Sequence, residues 1–82
     1  MIEKTVTVTR KGGLDADGSR DFVISMTRFV SDSKILIGDN IFNSKSIMNI
    51  MAACIKEGSV ITLCSDGLDE EAAIEKALEL VS

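Results

Sequence analysis

The sequence predicts an α+β fold, an open-faced β-sandwich in which a four-stranded antiparallel sheet carries three helices on one face, in the order β-α-β-β-α-β-α. Three observations carry this. Residues Ile2 to Thr9 alternate with a period of two and are rich in β-branched side chains, as a half-buried strand requires. Two stretches, beginning near Ala16 and Glu70, repeat apolar residues at helical spacing. Between them, Gly38-Asp39 separates two short strand-like runs, with glycine first, the pattern of a type II′ hairpin. At 82 residues, of which 45% are hydrophobic, the chain makes a single domain, 1–82, with one core.

The elements follow in order. Arg10-Lys11-Gly12-Gly13 ends the first strand, and the paired glycines predict a turn or a close backbone approach. The first helix is expected over 16–27, with Asp15 as N-cap and Asp17 in the electropositive first turn. Ser19, Phe22, Val23, Met26 and Val30 would form its buried stripe. Ser33 to Ile37 and Asn40 to Phe42 make the hairpin strands. A short helix is expected over 47–53, with Ser46 as N-cap. Ser59 to Ser65 alternates as a central strand. Asp69 is placed to cap the last helix, with Leu68 stapled onto Ala73 and with Ile74, Ala77, Leu78 and Val81 facing the core.

Composition narrows the function. The net charge is -4, from nine Lys and Arg against 13 Asp and Glu, which argues against general nucleic-acid binding. No apolar run has the length of a membrane span, and a cytoplasmic protein without membrane contact is expected. Cys54 and Cys64 lack CxxC spacing and are expected to be reduced, core-type thiols. There is no histidine, so Ser-His and Cys-His catalysis, histidine metal sites and a phosphohistidine are all absent. Asp15, Asp17 and Asp21 lack the glycine placement and closing glutamate of a calcium loop, so no metal and no cofactor are expected.

The most informative stretch is Asn43-Ser44-Lys45-Ser46-Ile47-Met48-Asn49-Ile50-Met51. It holds more apolar residues than one stripe of a short helix can bury. Met48 is therefore expected at the surface beside Ser46, where a flexible, polarizable side chain suits partner binding.

This stretch, together with Gly13-Leu14, Phe29 and Gly67-Leu68-Asp69-Glu70 in this element order, resembles the HPr phosphocarrier family of the bacterial sugar phosphotransferase system, and in particular its histidine-less, Crh-like members. The likeness spans essentially the whole chain. In that family the loop after the first strand reads G-[IL]-H-A-R-P-A, and its histidine carries the phosphoryl group. Here the matching residues are Gly13-Leu14-Asp15-Ala16-Asp17-Gly18-Ser19. Asp15 stands at the histidine position, Asp17 at the arginine position and Gly18 at the proline position.

The resemblance implies a regulatory, non-enzymatic protein that works by binding. It implies phosphorylation at Ser46 by an HPr kinase/phosphorylase, with a LacI-type repressor as a protein partner. Ile47, Met48, Met51 and Arg20 would form the partner-binding surface. Two alternatives stand beside it. One is a phosphoryl carrier using an aspartyl phosphate at Asp15; the other is a diverged interaction domain unrelated to sugar transport. Arg20, one turn on from Asp17, is placed to pair with it. A monomer is expected, with a strand-swapped dimer through Ile2–Thr9 and a Gly12-Gly13 hinge as the alternative.

Overall fold

The computed structural model describes all residues, Met1–Ser82. Four strands, β1 (Ile2–Thr7), β2 (Asp32–Ile37), β3 (Asn40–Asn43) and β4 (Val60–Asp66), form one sheet in the spatial order β1-β4-β2-β3. All neighbours are antiparallel. The helices α1 (Ala16–Met26), α2 (Ile47–Ala53) and α3 (Glu70–Leu80) fill the intervals predicted for them. The fold is the predicted one.

Strand alternation decides which side chains meet the helices. Ile61 and Leu63 of β4 and Ile35 of β2 are buried on the inner face, with Ile35 directly opposite Leu63. Ile2 and Val6 of β1 pack against the same core. From the helices come Phe22 and Met26 of α1, Ile50 of α2, and Ala73, Ile74 and Ala77 of α3. Full burial of Phe22 alone is worth about 2–3 kcal/mol of transfer free energy. The inner face also holds a directly opposed pair of buried serines, Ser33 and Ser65, whose hydroxyls bond at 3.0 Å. No buried side-chain polar atom lacks a partner. The outer face is mixed: Thr5 and Thr62 bond across strands there at 2.9 Å, on the same face as the exposed Ile41 and Val60.

Gly12 and Gly13 form the expected turn, both with positive φ. At Gly13 the approach is close enough to exclude any side chain: a Cβ would lie 2.6 Å from the Ile55 carbonyl oxygen and from Lys56 Cα. Leu14 N–H donates to Ile55 O at 2.9 Å, Gly58 N–H to Val8 O at 2.8 Å, and Gly12 N–H to Glu57 Oε1 at 3.1 Å. The loop that starts α1 is thereby fastened to the loop that follows α2. Gly38 opens the two-residue hairpin between Ile37 and Asn40 with φ 57, as its position requires.

Four expectations fail. Val30 does not continue the α1 stripe; the helix stops at Met26 with Thr27 as C-cap, and Val30 is 75% exposed beyond it. Leu68 does not staple onto Ala73, for it is 99% exposed. Asp69 occupies the N-cap position of α3 but makes no side-chain cap. Its carboxylate accepts instead from Val30 N–H at 3.0 Å, from Ser31 N–H at 2.9 Å and from the Ser31 hydroxyl. These bonds hold its carboxyl below the usual carboxylate range, with the Ser31 hydroxyl the largest cause. Finally, neither cysteine belongs to the core. Cys54 is exposed and Cys64 is half-buried on the outer face of β4, where burial and Glu3 push its thiol pKa up. Both are free.

Candidate functional site

Two helix starts and the groove between them gather the residues singled out in the sequence. At α1, Asp15 has extended backbone and its Oδ1 accepts from Gly18 N–H at 2.8 Å, satisfying an amide that has no partner within the helix. Ser19 closes the turn from below, its hydroxyl donating to Leu14 O at 3.1 Å. Asp17 and Arg20 are both exposed. The expected ion pair between them does not form; the salt bridges of the molecule lie elsewhere, among Met1, Asp66, Glu70, Lys34, Asp32, Lys76 and Glu79.

At α2, Ser46 is half-buried, with φ -117 and ψ 115. Its Oγ accepts from Asn49 N–H at 3.3 Å and from Asn49 Nδ2 at 3.1 Å. Its carbonyl accepts the first helical bond from Ile50. Lys45 is drawn away from this oxygen: its Nζ donates to Phe29 O at 2.7 Å. Ile50 alone of this helix is fully buried, and Ile47, Met48 and Met51 are exposed, with Met48 at 79%. Met51 stands four residues from Ile47 and three from Met48, so it adjoins both and joins them into an apolar strip on the solvent side of α2.

α1 packs against α2, and between their loops runs an open groove of about 340 Å³. Leu14, Asp15 and Ala16 line one wall, and Met51, Cys54 and Ile55 line the other. Asp15 and the apolar strip of α2 thus share one surface, with Met51 common to strip and groove.

The roles of three residues of this region escaped the sequence reading. Arg10 donates to Leu80 O at 3.3 Å, and its guanidinium lies against Gly18, where a Cβ would stand 3.4 Å from it and 3.2 Å from Asp15 Oδ1. Cys54 is the one non-glycine residue with positive φ, ending α2 at φ 50 and ψ 50. Asn49 carries the Ser46 contacts just described. No group of three or more His, Cys, Asp or Glu is arranged to hold a metal ion, and no helix is long and apolar enough to cross a membrane.

The features of this region are a small antiparallel sheet with helices on one face, a glycine-locked turn, and an exposed apolar strip beside a helix-capping serine. Comparison with known proteins gives that surface a family. Residues 2–82 match the family model described as PTS HPr component phosphorylation site. The chain is 40% identical over 81 residues to the HPr-like protein Crh of Halalkalibacterium halodurans, covering 99% of this chain and 96% of that one. The crystal structure of the phosphocarrier protein HPr from Bacillus anthracis superposes with a TM-score of 0.94 at 38% identity, covering 99% and 96% of the two chains. Crh of Bacillus subtilis, whose crystal structure is described as a swapped, intertwined dimer, matches with a TM-score of 0.78 at 36% identity, covering 99% and 93%. The chain belongs to the HPr family of the phosphotransferase system, a family of phosphocarrier and regulatory proteins rather than catalytic enzymes.

Proposed function

We propose that this chain is a regulatory member of the HPr family that works in the cytoplasm by binding other proteins and is switched by phosphorylation at Ser46. The observation that carries this reading is the setting of Ser46: a helix-capping hydroxyl beside the exposed strip of Ile47, Met48 and Met51, in a chain without histidine. A phosphoserine adds roughly two negative charges, and at an N-cap these meet the unpaired first-turn amides and the positive end of the helix dipole. The modification can therefore be accommodated without unfolding α2, while it changes the charge beside the strip from neutral to strongly negative. An HPr kinase/phosphorylase is the modifying enzyme in this reading, and a LacI-type repressor is the partner that reads the modified surface. Arg20 would contribute from α1.

Two observations weigh against an aspartyl phosphate at Asp15. The carboxylate is already engaged as a cap on Gly18 N–H, and Asp17 stands two residues on with no basic partner. In this reading the working unit is a monomer; size-exclusion chromatography distinguishes it from a strand-swapped dimer. The decisive experiment is incubation with an HPr kinase/phosphorylase and ATP. One phosphate is added, and Ser46→Ala receives none. A wild-type chain left unmodified under conditions that label authentic HPr refutes the switch.

A further inference from the structure

Asn49 is tied to both sides of Ser46. Its Nδ2 donates to Ser46 Oγ at 3.1 Å, and its own backbone N–H donates to the same oxygen at 3.3 Å. Its Oδ1 accepts from Asn43 N–H at 3.2 Å. Exchanging the oxygen and nitrogen of the amide would set two donors against each other at Asn43, so the network itself fixes which end faces Ser46. Asn43 then holds the peptide before the serine: its Oδ1 accepts from Lys45 N–H at 2.9 Å and its carbonyl from Ser46 N–H at 3.1 Å. Within this network the Asn49 backbone amide is immobilised by the helix. Rotating the Asn49 side chain releases the Nδ2 bond alone, whereas the backbone bond is released only when Ser46 itself turns.

A serine hydroxyl has two acceptor lone pairs and one proton. With two N–H donors on Ser46 Oγ, both lone pairs are engaged. Phosphoryl transfer from ATP needs one of them free. The Oγ–P bond forms with that electron pair, the bond from the γ-phosphorus to the bridging oxygen of ADP breaks, and the hydroxyl proton passes to a base on the kinase. We infer that Asn49 is a latch on Ser46: its carboxamide must leave Oγ before the hydroxyl attacks, so the unmodified chain restrains its own phosphorylation. Asn49 acts through Ser46 and is a positioning residue. The latch presupposes the Ser46 switch of the proposed function, and its effect falls on the chemical step rather than on docking of the kinase.

The test is Asn49→Ala in the full chain, assayed with an HPr kinase/phosphorylase and ATP. Alanine is the best helix former, so α2 is retained, and thermal unfolding checks this. Loss of a hydrogen bond that is broken on the way to reaction raises kcat roughly two- to ten-fold and leaves KM within about two-fold. A merely structural role would move the unfolding midpoint and not kcat. Equal kcat in both chains, with the wild type labelled, overturns the latch and leaves Ser46 standing as the switch. If neither chain is labelled where authentic HPr is, the switch fails and the latch with it.

Discussion

Asp15 and Ser46 hold the same position in two neighbouring helices. Each has extended backbone, and each offers a side-chain oxygen to an amide three residues on, Gly18 for Asp15 and Asn49 for Ser46. The difference lies in charge and in what surrounds the oxygen. Asp15 is a carboxylate followed by Asp17 and then Arg20, with neither neighbour engaged in an ion pair. Ser46 is neutral, half-buried, and bordered by Ile47 and Met48. The same capping geometry therefore supports two chemistries. At α1 the negative charge is permanent, and a phosphate would add to it. At α2 the charge is absent until a modification brings it.

The largest effect expected from this contrast is all-or-none. In a kinase reaction followed by intact mass, Asp15→Asn retains one phosphate and Ser46→Ala loses it; the opposite pattern would reverse the assignment of the two caps. Next comes the lock that holds the Asp15 loop. Gly13→Ala forces a Cβ to 2.6 Å from backbone atoms at a residue with φ +65, and destabilisation by about 3 kcal/mol or more is expected in urea unfolding. The caps themselves are matched: Ser46→Ala and Asp15→Ala should each cost about 1 kcal/mol. A much smaller loss at either would show that its hydrogen bond is not the cap it resembles.

At the far end of α2 the effect is of opposite sign. Cys54→Gly relieves a left-handed conformation and should stabilise the chain by about 0.5–1 kcal/mol. The smallest effect is a dependence on acid. The folded carboxyl of Asp69 titrates below its unfolded value of 3.8. Its stabilisation is therefore complete above about pH 4 and is lost as pH falls through the lower, folded value. Asp69→Asn should flatten the fall of the unfolding midpoint below about pH 4, measured by circular dichroism.

What was legible in the sequence was what is local. The strand read over Ile2 to Thr9, which ends at Thr7 in the structure, the hairpin glycine at Gly38, and the caps Asp15 and Ser46 are set by neighbours within a few residues, and each appears where it was read. Met48 was legible by elimination, since one short helix has room inside for little more than Ile50. The misreadings share a different cause. Val30 fits the α1 periodicity, but spacing does not register that the chain has already turned at Thr27. Asp69 reads as a cap because caps are local, whereas its partners Val30 and Ser31 are 39 and 38 residues away in sequence. Arg10 reaches Leu80 across 70 residues, and nothing near Arg10 announces it. Asn49 was within reach, three residues beyond a capping serine, but its amide looks the same whether it faces water or Ser46.

The sheet order carries a consequence for the life of the chain before it folds. β1 is the first strand to be synthesised and an edge strand, and its single partner is β4, with Ile2 meeting Ser65 and Thr7 meeting Val60. A nascent chain must therefore carry Ile2 and Val6 without a sheet until β4 has left the ribosome. The hairpin of β2 and β3 and the first two helices are complete before then. β1 is thus translated before the other three strands and among the last to find its place. In that interval the β4 of a neighbouring copy offers the same ladder of hydrogen bonds. Strand exchange between copies is thus open to a chain whose β1 waits for β4.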